Sequence, residues 1–218
     1  MLTGHIVNKI NAASKHPLFE KMEQEKLFPK QLEMFIQNYA ARTKYTAIFI
    51  AQLLTVALKD ADYHAAHNVS KNLHEEMGEN IKGAMHPELL QKSLNTFLTK
   101  FGLKEISLKT VEQSPLIIDE TRTYIKQIGD LYLNNDIVTG LSISLAHETE
   151  ASNMLTNIRQ GLAKYKSMFT DQEWGTIDKY FQEHLDNGVE EGHSQDAIES
   201  ITPYVNSDIN KQNIEQLC

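Results

Sequence analysis

Cysteine is almost missing from this chain: the single one, Cys218, is the last of 218 residues. An intramolecular disulfide is thereby excluded, as are a cysteine-ligated cluster and a buried thiol nucleophile, and a reducing cytoplasm is the expected setting. Long apolar runs are missing too. The longest, TAIFIAQLLTVAL from Thr46 to Leu58, is too short to span a bilayer, and the opening MLTGHIVNKI lacks a basic segment followed by an apolar one, so no membrane association is expected. Basic charge is scarce: 21 Lys and Arg against 29 Asp and Glu leave a net charge of −8, with no basic run interleaved with aromatics. That balance excludes nucleic acid as the expected partner and favours a small-molecule substrate. Glycine is sparse, 10 residues scattered along the chain, and no stretch alternates with β-branched residues between turn signals, which argues against a barrel or sandwich.

What is there reads as helix. Leu32, Phe35, Ile36, Tyr39, Phe49, Ile50, Leu53, Leu54 and Leu58 follow three- and four-residue spacing with Gln, Lys and Arg between them, which predicts one long amphipathic helix. Pro29, Pro87 and Pro115 each stand where a helix would begin, with Ser114 as a cap before Pro115. Thr170 and Glu173 have the spacing of a capping box ahead of the apolar face Trp174, Ile177, Tyr180 and Phe181. With 41% apolar residues, 218 residues suffice for one domain spanning 1–218. The prediction is an all-α bundle of seven or eight helices, in which the polar tail at 205–218 frays or docks as a short last helix.

Three acidic and histidine-rich clusters stand out against this pattern. In NLHEEMGENIKGAMHPELL, Asn72, Glu76 and Glu79 share a helical face, and His86 returns just before the next helix. An isolated acidic helix end is usually solvated, so Glu76 by itself carries little. In GLSISLAHETEASNML, His147, Glu148 and Glu150 interrupt small apolar residues. Glu150 points about 200° from Glu148 on an ideal helix, so the two cannot face one site, and Glu148 is the favoured member. YFQEHLDNGVEEGHSQDAI is the densest, with His184, Asp186, Glu190, Glu191 and His193 close together. Carboxylates and imidazoles together suit a pair of iron ions, because they hold a redox metal while leaving positions open for dioxygen. His5, His16, His64, His67, His74 and His147 have no carboxylate at a convincing spacing and are read as structural or surface residues.

Across nearly the whole chain these motifs resemble the haem-oxygenase-like diiron oxidases and oxygenases, including relatives similar to the chlamydial protein associating with death domains (CADD-like). The segment HPLFEKMEQEKLFPKQLEMFIQNY resembles that group's first helices. The resemblance implies a haem-oxygenase-like helical bundle holding two Fe2+ ions on Glu76, His86, Glu148, His184, Glu190 and His193, with dioxygen as co-substrate. It also implies oxidation of a small amino-acid-like or fatty-acid-like molecule, and is compatible with a homodimer. A self-sacrificing p-aminobenzoate synthase, in which a tyrosine of the protein is consumed, is the alternative within the family, and Tyr39 and Tyr45 are candidates for substrate contact or oxidation. A helical interaction protein without enzymatic activity is the alternative outside it.

One spacing departs from the family pattern. His184 and Glu190 are six residues apart where the pattern has four, which places them about 120° apart on a regular helix. The sequence therefore predicts a π-bulge, kink or non-helical step between Leu185 and Val189; otherwise Asp186 takes the place of His184.

Overall fold

The computed structural model describes residues 16–79, 81–133, 136–186 and 189–206. The described residues are all-α: α1 (Pro17–Gln24), α2 (Pro29–Thr43), α3 (Thr46–Lys59), α4 (Tyr63–Glu76), α5 (His86–Lys100), α6 (Asp119–Leu133), α7 (Ile137–Ala163), α8 (Asp171–Leu185) and α9 (Val189–Ile201). Short 3₁₀ turns follow α5, α7 and α9. No described helix is long and apolar enough to cross a membrane.

Local chemistry sets most boundaries. Pro17, Pro29 and Pro87 lie in the first turn of α1, α2 and α5, where the missing N–H costs nothing. Asp62 and Asp136 cap α4 and α7 by accepting from backbone N–H groups, and Thr170 with Glu173 forms the expected capping box at α8. Pro115 does not begin a helix. It lies in a turn, α6 starts four residues later at Asp119, and Ser114 Oγ accepts from Leu116 N within that turn while donating to Gln37.

The long helix expected across residues 32–58 is two helices. The break falls at Lys44 and Tyr45, where Glu112 pairs with the Lys44 ammonium at 3.2 Å and accepts from the Tyr45 hydroxyl, pinning the corner to the turn at Val111–Gln113. The corner turns one apolar pattern toward two cores. Leu32, Ile36, Tyr39 and Ala40 of α2 join Leu90, Leu94, Phe97, Leu155, Ile158, Ile177 and Phe181; Phe49, Ile50, Leu53 and Ala57 of α3 join Ala65, Val69, Tyr132, Leu141, Leu145 and Ile201. Each fully buried Leu or Phe contributes roughly 1.5–3 kcal/mol relative to exposure.

Helix α7 threads both cores, with Leu141 and Leu145 in one and Leu155 and Ile158 in the other. It packs against α1, α3, α6, α8 and α9. Gly161 and Gly140 permit two close crossings, since a Cβ there would lie 2.7 Å from Met22 Cε of α1 or 2.7 Å from Leu53 Cδ1 of α3. The stretch of α7 between the two apolar clusters contains Glu148, so the polar residues considered next lie along the seam between two cores.

Candidate metal centre

Each of the three clusters reaches the seam by a different device. Glu76 is the last residue of α4 and His86 the first of α5. The turn between them needs Gly78, whose φ of +81° is left-handed and whose added Cβ would lie 2.7 Å from the backbone of Ala84. Glu79, grouped with Glu76 in the sequence, lies exposed in this turn at φ +48° because α4 has already ended. Glu148 projects from the middle of α7. His184 is in the last turn of α8, while Glu190 and His193 are in the first turns of α9.

The step expected between His184 and Glu190 is present. Helix α8 ends at Leu185, Asp186 is extended (φ −85°, ψ 148°), and α9 begins at Val189; residues 187 and 188, where the sequence suggested a bulge, lie outside the described residues. Asp186 is turned away. Its side chain is 51% exposed and lies 3.5 Å from Arg159, which also clamps Asp178 through two hydrogen bonds of 2.7 and 2.8 Å. Glu150 is likewise directed elsewhere, toward Arg42 at 3.9 Å.

All six ligand candidates converge from five helices. They form two trios, Glu76 with His86 and His184, and Glu148 with Glu190 and His193, each with one ligand-type atom per residue within 4.8 Å of the others. His86 Nδ1 lies 3.3 Å from Glu76 Oε1, and His184 Nε2 lies 4.0 Å from the same oxygen. In the second trio His193 Nδ1 is 3.6 Å from Glu148 Oε2. Five of the six are buried, and Glu148 is half-buried.

Surrounding groups set the orientation of the imidazoles. His184 Nδ1 donates to the Tyr180 carbonyl at 2.7 Å, which leaves its Nε2 lone pair facing Glu76. His193 Nε2 donates to Glu75, which leaves Nδ1 facing Glu148. Asn72 Nδ2 donates to Glu148 Oε1 at 2.9 Å. A carboxylate or carbonyl behind an imidazole fixes its tautomer and raises its basicity as a ligand. Glu75 escaped the sequence reading because it adjoins Glu76 in an acidic helix end; only the arrival of α9 beside α4 gives it a partner.

Electrostatics differ between the trios. Burial pushes the Glu76 carboxyl up, but the close approach and charge of His86, with His184 and His193 beyond, outweigh it and hold Glu76 below the usual carboxylate range. Burial lowers His86, and the same Glu76 charge more than reverses this. His184 is pushed down to about 4 by burial and then by neighbouring His86. Burial drives Glu148 up despite His193, with Glu76 and Glu75 adding repulsion. Glu190 is driven well above the usual range by burial and then by the charges of Glu148 and Glu76.

These residues fit iron. Three carboxylates and three imidazoles with no thiolate form a donor set of the kind that holds Fe2+. The only ion-pair partners of Glu76 and Glu148 among the described residues are imidazoles, and Glu190 has none there. His86 Nδ1 is buried without a hydrogen-bond partner, since its approach to Glu76 is misaligned, and an orphaned buried nitrogen is costly unless something else occupies its lone pair.

A partly open chamber of about 90 Å³ adjoins both trios, with Glu76, His86, His184, Glu148 and Glu190 in its wall beside Phe49, Ile50, Leu90 and Leu155. Tyr39 lines it and shares a 3.1 Å hydrogen bond with Tyr180, whose ring stands 4.5 Å from that of His184. Burial raises the Tyr39 phenol to about 12, so it keeps its proton. Tyr45, named with Tyr39 in the sequence, instead faces Glu112. His147, read there as structural, lies in the chamber wall and joins Tyr124 Oη at 2.8 Å and Tyr132 Oη at 3.3 Å. Burial, then Arg42, pushes it down to about 3, so it is neutral.

Comparison with known proteins agrees with this geometry. Two crystal structures of a CADD-like protein of unknown function from Nostoc punctiforme PCC 73102 match the fold, with TM-scores of 0.75 and 0.63 at 18% and 17% identity. The matches cover 99% and 98% of this chain and 90% and 94% of those chains. The 4-chloro-allylglycine synthase of Streptantibioticus cattleyicolor is 24% identical over 202 residues, 93% of this chain and 70% of that protein. A family model described as "iron-containing redox enzyme" matches residues 34–215, a span that includes every member of both trios. The bundle is therefore of the haem-oxygenase-like type, and the chain belongs to the family of iron-containing redox enzymes.

Proposed function

We propose that this protein is a non-haem diiron oxidase or oxygenase that uses dioxygen to oxidise a small organic molecule. The carrying observation is the pair of adjacent trios, each with three ligand-type atoms within 4.8 Å, because two such groups offer more donors than one ion can use. Glu76, His86 and His184 would hold one Fe2+, and Glu148, Glu190 and His193 the other. When bound, the two ferrous ions supply the electrons that reduce dioxygen and the oxidising power applied to substrate.

The chain's own residues supply orientation and exclusion of water. Tyr180 and Glu75 hold His184 and His193 in the tautomers that present a lone pair, and Asn72 fixes one oxygen of Glu148 while the other remains free. The apolar part of the chamber wall would limit water around the reacting carbon. A small-molecule substrate suits the chamber's size, and the name of the Streptantibioticus relative, an amino-acid synthase, supports an amino-acid-like one.

Anaerobic loading with Fe2+, metal counting, and exposure to oxygen against a panel of amino acids and fatty acids test this reading. About two irons per chain and oxygen uptake accelerated by one substrate are expected. Zero or one iron on well-folded protein would overturn it.

A second reading has a specific observation behind it. Tyr39 and Tyr180 are linked to each other, and the Tyr180 ring lies 4.5 Å from that of His184, so a tyrosine of the protein is within reach of the same chemistry, as in self-sacrificing p-aminobenzoate synthesis. Loss of mass at Tyr39 or Tyr180 in the intact protein after one turnover would favour it; unchanged mass after many turnovers excludes it.

A further inference from the structure

Beside the inner chamber lies a larger and more open one, about 790 Å³, walled mainly by Leu18, Phe19, Leu27, Met34, Phe35 and Ile158. The two chambers share four lining residues, Tyr39, Arg42, Tyr124 and Met154, which make up the boundary, or neck, between them. Glu150 joins the neck from the outer side.

Arg42 is poorly matched by what surrounds it. Its guanidinium donates to the Met154 thioether at 2.9 Å, a weak acceptor, and to Tyr124 Oη at a long 3.4 Å, and lies over the Tyr124 ring at 5.3 Å. Its nearest carboxylate, Glu150 Oε2, is 3.9 Å away, beyond a hydrogen bond. A planar donor with five N–H groups is thus left with no strong acceptor at the entrance to the reaction chamber. Glu150 in turn has Arg42 as its only ion-pair partner among the described residues; both side chains are about a third exposed, and both line the outer chamber.

We propose that Arg42 and Glu150 together bind the zwitterionic head of a free α-amino acid, Arg42 taking the carboxylate and Glu150 the ammonium, with the amino acid's side chain directed into the inner chamber. Charge decides between this and a simple fatty acid. The facing guanidinium and carboxylate are neutral together, and a zwitterion keeps them so while giving each a strong partner. A lone carboxylate would satisfy Arg42 but bring a second negative charge beside Glu150 in a half-buried neck. Adjacent opposite charges also match the head group's geometry, in which ammonium and carboxylate are attached to one carbon. The inner wall next to the neck, with Ala47, Ile50, Ala151 and Leu155, suits an unbranched aliphatic side chain. This assignment rests on the oxidase reading only in taking the inner chamber as the place of reaction.

The test is equilibrium binding by calorimetry on the full-length, Fe2+-loaded protein under anaerobic conditions, with iron counted in the same sample. The probes are L-norleucine, hexanoate, which lacks the ammonium, and pentylamine, which lacks the carboxylate. Norleucine should bind at least about tenfold more tightly than either analogue, because each analogue leaves one charged group of the neck unpaired. Arg42→Gln should erase the preference for norleucine over pentylamine and keep that over hexanoate; Glu150→Gln should do the reverse. Arg42→Lys, which keeps charge but not the planar fork, should restore part of the loss. Circular dichroism melts identify any variant that fails to fold, and the wild-type ratios then stand alone. Hexanoate binding as tightly as norleucine, no saturable binding of norleucine, or ratios unchanged in both folded variants would overturn the proposal. Iron stoichiometry reads out separately, so a failure here does not count against the metal centre, nor the reverse.

Discussion

The two trios share a seam, yet they stand in opposite electrostatic states. Glu76 is compensated by two imidazoles and sits below the ordinary carboxylate range, whereas Glu148 and Glu190 share one imidazole and are both pushed up. Burial is similar in the two, so the difference comes from composition: one carboxylate with two histidines against two carboxylates with one. In the first trio the charges of Glu76 and His86 oppose each other; in the second a bound cation would offset the mutual repulsion of the two carboxylates.

The largest test of this contrast is metal loading. Glu190→Ala and Glu76→Ala should each lower iron from about two per chain to one or fewer and reduce substrate-dependent oxygen uptake by more than about a hundredfold. Retention of two irons by either variant would remove that residue from the ligand set. A smaller effect is expected behind the second trio. Glu75→Gln frees the His193 ring from its carboxylate anchor and should weaken one of two resolved iron-binding steps by about 10–100-fold, leaving the other unchanged. Equal weakening of both steps in a metal titration would show that the trios do not bind independently.

Stability without metal should separate the trios by sign. Glu76→Gln leaves His86 without its counter-charge and should destabilise the metal-free chain by about 2 kcal/mol. Glu190→Gln removes a buried, repelled carboxylate and should stabilise it by about 1 kcal/mol. Urea titrations in chelator measure both, and shifts of the same sign would end the comparison.

The smallest effect concerns protons around the trios. His147, lowered to about 3, stays neutral in the folded chain where the unfolded chain takes up a proton near pH 6.5. Its stability contribution is therefore complete above about pH 6.5 and lost as pH falls toward 3. Relative to His147→Gln, the wild type should lose roughly 1 kcal/mol per pH unit between about pH 6 and 4. Comparing the two proteins by denaturant titration at each pH cancels the other buried groups, and a pH-independent difference would show that His147 already titrates normally.

Much of the scaffold was legible because its signals are local. The prolines at 29 and 87 open helices, the Thr170–Glu173 box forms, and the apolar spacing marks buried faces, since each depends on atoms within a turn or two of chain. The apolar pattern over residues 32–58 was read as one helix because period alone cannot reveal that a distant residue, Glu112, turns the chain at Lys44 and Tyr45. Ser114 and Pro115 misled for a related reason: the same pair serves a turn as well as a helix start, and the serine hydroxyl donates to Gln37 instead of capping a helix.

The site divides along the same line. The residue types, and the misfit of His184 with Glu190, follow from sequence, because helical geometry alone forbids one regular helix from presenting both. The choice of His184 over Asp186 belongs to tertiary structure, since only the extended backbone at Asp186 and the reach of Arg159 draw that carboxylate outward. Glu75 and Arg42 acquire their settings from α9 and α7, which lie far away in sequence, and His147 from the packing of its own helix against the preceding α6. Sequence alone determined which ligand-type groups the chain carries and how they fall along each helix. Only the folding of two apolar cores against one long helix decided which of them meet, because burying those cores brings five helix ends and middles to a single polar seam.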